Sequence, residues 1–295
     1  MSVAVLEARK HRNTLNRIRA FCDARDIEWI SELTTDMLDA FRASRRLAPL
    51  TSIKELQLVR QLFGFCNDRR WVEENVAKRI KPPRNIRPND VEPYTSAEVN
   101  AIISACNRIG TAPYERLRTR AMVLMLRYTA LRIGDVAMLA RDRVGADGKR
   151  WRIFLRTEKN GKAVFLPIPD ELKTALDLVP LPRGCSEGSK YFFWNGLSSE
   201  RSMKSIAERS LWSVFKMSGV HRAHAHRFRH TLATELLERG ASFEDVADVL
   251  GNSSDVVRRH YAKWSPGRQA RIDDLMQRVH CNASWNQGEA AATIH

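Results

Sequence analysis

The chain has 295 residues, 43% hydrophobic and 28% charged, the make-up of an ordinary globular protein long enough for two domains. Its 49 Lys and Arg outnumber 34 Asp and Glu to leave a formal charge of +15, so a polyanionic partner is expected, with nucleic acid ahead of an anionic membrane surface. No apolar run reaches the ~18 residues of a membrane span, no basic amphipathic helix carries an aromatic insertion face, and "MSVAVLEARKHRN" lacks the apolar core of a secretory leader, so a cytoplasmic location is expected.

The first eighty or so residues read as helices only. "TTDMLDAFRA" sets Met37, Leu38 and Phe41 at helical spacing behind a Thr cap. In "SIKELQLVRQLFGFC", Ser52 and Glu55 form a capping box ahead of the stripe Ile53, Leu56, Val59, Phe63 and Cys66. Arg42, Arg45, Arg46, Lys54 and Arg60 are not matched one for one by acids, which leaves either a solvated face or a set of DNA contacts. "KRIKPPRNIRPNDVEP" follows with four prolines that disfavour helix and sheet alike; it reads as a basic, semi-rigid linker whose Lys81 and Arg84 extend the DNA-contact set. The expected layout is a helical domain over 1–82, a linker over 83–93, a second domain over 94–280 and a loose polar tail over 281–295, which the resemblance drawn below makes a DNA-binding and a catalytic domain.

The second domain opens with a capping box at Thr95 and Glu98, and a long helix runs through "LRTRAMVLMLRYTA". "KRWRIFLRTEKNGKAVFLPIP" then changes period. Trp151, Ile153 and Leu155 alternate, Asn160-Gly161 supplies a turn, and Ala163, Phe165 and Pro167 alternate again, which predicts a β-hairpin. Helices resume, with Gly240 as a C-terminal cap, Ser242 and Ser254 as N-caps, and Ser265-Pro266 starting a last helix through Met276. The fold class expected is mainly α with a small antiparallel β-sheet, α+β in two domains. Five cysteines, Cys22, Cys66, Cys106, Cys185 and Cys281, form no C-x-x-C pair and read as free thiols, with Cys66 and Cys106 in the core.

Four stretches carry residues suited to chemistry. "LRIGDVAML" holds Arg132 with Asp135 three residues on; taken alone this is a surface ion pair. "TEKNGK" places Lys159 beside the hairpin turn, where most lysines only keep a strand end soluble. "HAHRFRHTLATELL" sets His226, Arg229 and His230 at i, i+3 and i+4 on one helical face. A zinc site there is the weaker reading, since no acid or cysteine is near and an arginine stands between the histidines. "LGNSSDVVRRHYAKW" places Tyr261 among Arg258, Arg259, His260 and Lys263, cations that favour a phenolate and attract a polyanion. Together these are the parts for phosphoryl transfer. Two arginines can each hold two phosphate oxygens, a histidine and a lysine can move protons, and a tyrosine can attack. There is no P-loop and no clustered Asp/Glu set for two-metal chemistry.

In these four boxes the chain resembles the tyrosine recombinase (phage integrase) family over most of its length. The resemblance implies Arg132, Lys159, His226, Arg229 and Tyr261 as catalytic residues, with Tyr261 the nucleophile, Asp135 supporting Arg132, and His230 behind the site. Asn252 stands where most members carry His or Trp; it can donate to a phosphate oxygen but cannot carry a histidine's proton. The resemblance also implies a C-shaped clamp on double-stranded DNA, no metal or other cofactor, a monomer or dimer off DNA and a homotetramer on two recombination sites. A prokaryotic or mobile-element origin goes with it, while accessory proteins stay open. A type IB topoisomerase and a DNA-binding relative without catalysis are the alternatives. The last helix, with Ile272, Leu275, Met276 and Val279 at helical spacing, packs on its own domain or, by the family analogy, on a neighbouring protomer.

Overall fold

A computed structural model of the protein describes residues 3–83, 92–159, 161–181, 189–194, 198–261 and 272–279, with side chains from residue 8 onward except 200 and 201. The backbone divides into two units, Met1–Asp90 and Val91–His295, with the break inside the proline-rich segment.

The first unit is built from α1 (Val3–Asp23), α2 (Thr35–Ser44) and α3 (Pro49–Asp68). Thr34 Oγ1 accepts the Met37 N–H at 3.3 Å and starts α2. Ile18, Phe21, Leu38, Phe41, Leu56, Val59, Phe63 and Cys66 close the core, each large side chain contributing roughly 1.5–3 kcal/mol by leaving water. α3 begins earlier than expected: Pro49 takes the first position, where its missing N–H costs nothing, so Ser52 and Glu55 lie inside the helix and form no capping box. Glu55 is instead buried and accepts from Arg17 at 3.1 Å and Arg45 at 3.3 Å. The basic residues are also less idle than the sequence suggests. Arg42 pairs with Asp39 at 3.1 Å and reaches the Lys81 carbonyl, while Arg60 donates to the carbonyls of Ala77 and Ile80 at 3.2 and 2.6 Å. Arg46, Lys54 and Lys81 are exposed, and Arg84 lies outside the described residues.

The second unit holds α4 (Ser96–Ala105), α5 (Pro113–Thr129), α6 (Ile133–Ala137), strands β1 (Val144–Asp147), β2 (Arg150–Arg156) and β3 (Ala163–Ile168), then α7 (Asp170–Asp177), α8 (Glu200–Ser218), α9 (Ala225–Glu238), α10 (Phe243–Leu250) and α11 (Ser254–Tyr261). A further helix, α12, covers 272–279. The Thr95–Glu98 capping box forms in full. In α5 every residue from Ala121 to Leu126 is buried, an all-round apolar stretch that only a central helix can accept. A large core joins α4, α5, α7 and α8 to the sheet, and a smaller one, with Ala233, Leu237, Val246, Leu250, Val257 and Tyr261, joins α9, α10 and α11.

The antiparallel sheet has the order β1-β2-β3, and β1 was not expected. Ile153 and Leu155 face inward on β2 as the alternation predicts. On β3 the inward set is Val164, Leu166 and Ile168, while Ala163, Phe165 and Pro167 face out. The strands are joined by a loop from Thr157 to Lys162, closed by the Thr157 N–H on the Lys162 carbonyl at 2.9 Å. Ile153 pairs with Leu166 and Leu155 with Val164, so the even-numbered residues of β3 share the inward face with the odd-numbered residues of β2. Asn160 lies outside the described residues. Gly240 (φ +93°) terminates α9, Ser242 and Asp245 cap α10 reciprocally, and Ser254 is the first residue of α11 and not its cap. Cys22, Cys66 and Cys106 are free thiols; Cys185, Cys281, Ser265 and the tail lie outside the described residues.

Candidate active site

α5 ends at Ala130, which adopts a left-handed conformation (φ +52°) that costs a residue with a Cβ about 1–2 kcal/mol. The turn delivers Arg132 to the start of α6 and leaves the Ala130 carbonyl facing α9. Arg229, on α9 and almost wholly buried, donates Nη1 to that carbonyl at 2.8 Å and Nη2 to the carbonyl of Leu250 at the end of α10. Burial, then the neighbouring Arg132 charge, pushes its pKa down to about 10, so it stays cationic at neutral pH. Two residues beyond each of those carbonyls, Arg132 Nη2 meets Asn252 Oδ1 at 2.7 Å. Arg132 Nη1 is buried with no hydrogen-bond partner among the described residues. The two guanidiniums are therefore held by the same pair of chain turns.

The face of α9 that carries Arg229 also carries the histidines. The rings of His226 and His230 are 5.0 Å apart, and those of His230 and Tyr261 5.3 Å. Tyr261 is 4% exposed, its ring part of the smaller core. Burial pushes the phenol up to about 12, against the pull of Arg229. The surrounding cations thus do not make a resting phenolate; desolvation wins. The exposed His226 and the half-buried His230 are both pushed down to about 4. Desolvation by the packed protein is the first cause for each, followed by like charge: His230, Arg229, His224 and Arg132 for His226, and His224, His260 and Arg229 for His230. Both rings are neutral at pH 7. No trio of His, Cys, Asp or Glu is arranged to hold a metal among the described residues.

Asp135 differs from expectation in its contacts. Asp135 makes no ion pair with Arg132 among the described residues; its Oδ1 accepts the Glu158 N–H at 2.8 Å, and its buried Oδ2 has no partner there. Burial raises its pKa, opposed by the Glu158 N–H and the Arg132 charge. The acid therefore fastens the hairpin loop to α6. Lys159 is exposed on that loop without a hydrogen bond or ion pair to another described residue.

Three residues that sequence reasoning passed over complete the arrangement. Lys162 donates Nζ to the Asn252 carbonyl at 2.5 Å. Gly251 (φ +57°) lets the α10–α11 turn press on the hairpin, since a Cβ there would stand 3.0 Å from Val164 Cγ2 and 3.1 Å from Thr157 Cγ2. The Leu-Gly end of a helix-period run signals such a cap. Arg227, two residues from Arg229 and so on another face, pairs with Glu98 at 2.9 Å, takes the carbonyls of Glu92, Pro93 and His221, and lies 4.2 Å over the Tyr94 ring. It ties the start of the unit to α9.

The sequence profile described as "Phage integrase family" matches residues 94–267. The chain is 28% identical over 258 residues to the tyrosine recombinase XerA of Thermococcus kodakarensis, covering 84% of this chain and 83% of that protein. It is 26% identical over 259 residues to the tyrosine recombinase XerC of a Roseiflexus species, covering 83% and 79%. Among solved structures, a lambda integrase dimer bound to a COC′ core site superposes with a TM-score of 0.63 at 16% identity, covering 88% of this chain and 72% of that one. The XerH site-specific recombinase bound to difH substrate superposes with a TM-score of 0.62 at 17% identity, covering 88% and 76%.

Proposed function

The chain belongs to the phage integrase family and is a tyrosine-type site-specific recombinase; from that premise we propose that Tyr261 cuts and rejoins DNA through a 3′-phosphotyrosyl intermediate. The observation that carries the reading is the pair of guanidiniums anchored by Ala130, Leu250 and Asn252, with Arg229 close enough to pull on the Tyr261 phenol. A phosphodiester seated there brings a negative charge into a desolvated cationic site, which reverses the like-charge part of the penalties on His226 and supports its taking the phenolic proton. The Tyr261 oxygen then bonds to phosphorus as the bond to the 5′-oxygen breaks, and Lys159 protonates that oxygen. Arg132, Arg229 and Asn252 stabilise the pentavalent transition state. Asn252 Oδ1 is already taken by Arg132, so its Nδ2 is what remains for the phosphate. Asp135 and His230 support the hairpin and the His226 ring.

The bond energy is kept in the phosphotyrosine, so a 5′-hydroxyl of a partner strand can reverse the step without ATP, a metal or another cofactor. Two such exchanges pass through a Holliday junction on two double-stranded DNA sites. The similarity to a lambda integrase dimer on a core site, and to a lambda integrase tetramer on a Holliday junction (TM-score 0.62 at 18% identity), supports four protomers as the working unit. The four apolar side chains of α12 are 40–59% exposed, which supports their burial against a neighbouring protomer. Arg46, Lys54 and Lys81 fit phosphate contacts; Arg42, Arg45 and Arg60 are already committed to partners in their own unit. No helix among the described residues is long and apolar enough to cross a membrane, which goes with action in the cytoplasm on the nucleoid. The test is recombination of two paired sites by the purified chain in a metal chelator without ATP. Recombinants that vanish in Tyr261→Phe support the reading, whereas relaxation of supercoils by a monomer with no recombinants would replace it with a topoisomerase.

A further inference from the structure

The loop that carries Lys159 is held on either side of that residue. At its entry, Asp135 Oδ1 accepts the Glu158 N–H at 2.8 Å. At its exit, Lys162 Nζ donates to the Asn252 carbonyl at 2.5 Å. Between these anchors Lys159 is exposed and makes no hydrogen bond or ion pair with another described residue. The Asn252 anchor is itself stiff. Its N–H donates to the Ala247 carbonyl at 2.9 Å, its side-chain oxygen takes Arg132 Nη2, and a Cβ on Gly251 beside it would stand 3.0 Å from Val164 Cγ2 and 3.1 Å from Thr157 Cγ2.

We infer that Lys162 is a positioning residue: by tying the loop to the Asn252 carbonyl it sets where the Lys159 ammonium stands against the leaving 5′-oxygen. The same bond couples the loop to Arg132 through Asn252, so the phosphate clamp and the proton donor share one backbone anchor. An exposed bond from an ammonium to a carbonyl adds little to stability, and its value lies in geometry. A general acid has to come within ~3 Å of its target, and a displacement of about 1 Å can cost ~10²-fold in rate. The inference rests on Lys159 as the general acid, and its test separates the two.

The full chain would be assayed in single turnover, at saturating protein, on a nicked duplex and on its counterpart with sulfur as the scissile 5′-bridging atom. A thiolate leaves without needing a proton. Lys162→Ala is expected to slow cleavage of the ordinary duplex ~10²-fold and to cleave the sulfur duplex at the wild-type rate. Lys162→Arg is expected to stay near wild type on both, because a guanidinium still donates to the carbonyl yet cannot give up its proton. The inference is overturned if Lys162→Ala matches wild type on the ordinary duplex, or is equally slow on both. It is also overturned if Lys162→Arg fails as badly as Lys162→Ala on the ordinary duplex, which would make Lys162 the donor itself. Lys159→Ala is the separate control: a defect that sulfur does not restore removes the general-acid reading whatever Lys162 does.

Discussion

Each residue of the site answers to an environment that its own type does not reveal. Tyr261 reads on paper as a phenol among cations, yet its ring lies in a small core and its pKa rises to about 12. Its hydroxyl makes no hydrogen bond with a described residue, so Tyr261→Phe should unfold within about 0.5 kcal/mol of wild type while losing all covalent adduct; calorimetry and a denaturing gel check the two halves. The histidines give a pH signature. His226 and His230 have folded pKa values of about 4, below the ordinary 6.5, so the unfolded chain takes up protons first as pH falls. Their contribution is fully present above pH 6.5 and is lost between 6.5 and about 4. Denaturant titrations should show stability falling across that window, less steeply in His226→Gln/His230→Gln; an unchanged slope would contradict neutral rings. Both histidines and Arg229 were legible from i, i+3, i+4 spacing because a helix face is a local property. That Asp135 grips Glu158 and not Arg132 was not legible, because Glu158 lies twenty-three residues on and the contact is made by tertiary folding.

At the scale of elements, α2, α3, α4 and α5 could be read from caps or apolar runs, α1, α7 and α8 were given no such signal, and the sheet was legible only in part. β1 escaped because four mostly exposed residues carry no alternation, although Asp147-Gly148 (φ +60°) marks its turn. The inward face of β3 was not legible from its apolar residues, because Phe165 and Pro167 are apolar yet exposed, while Val164, Leu166 and Ile168 pair with Leu155, Ile153 and Trp151. Ser52 and Glu55 fit the capping-box spacing but lost to Pro49, a stronger start signal one turn earlier. The tightest junction between elements is the α10–α11 turn against the hairpin. Gly251→Ala forces a Cβ into a left-handed position 3.0 Å from Val164 Cγ2, and should cost about 1–2 kcal/mol in thermal unfolding while slowing cleavage. Replacing Ile272, Leu275, Met276 and Val279 together by Ser should leave the melting temperature within ~1 °C and abolish assembly on DNA, read by native gel. A large drop in melting temperature would mean that α12 packs at home.

At the scale of the whole molecule, each unit has its own apolar core, so residues 92–281 should fold alone and cut a nicked duplex with weaker binding than the full chain. The surplus of +15 makes affinity steep in salt. Arg46→Ala, Lys54→Ala and Lys81→Ala should each lower the slope of log affinity against log salt by about 1, as lost phosphate contacts do. Arg60→Ala should leave the slope alone and cost roughly 1–3 kcal/mol of stability, since two carbonyls lose their donor. The most direct measurement is mass spectrometry of the peptide left attached to DNA after the chain reacts with a nicked duplex and is digested. A single adduct on the peptide containing Tyr261, joined through a 3′-phosphate with a free 5′-hydroxyl opposite, is the predicted result; a link at any other residue, or through a 5′-phosphate, would contradict it.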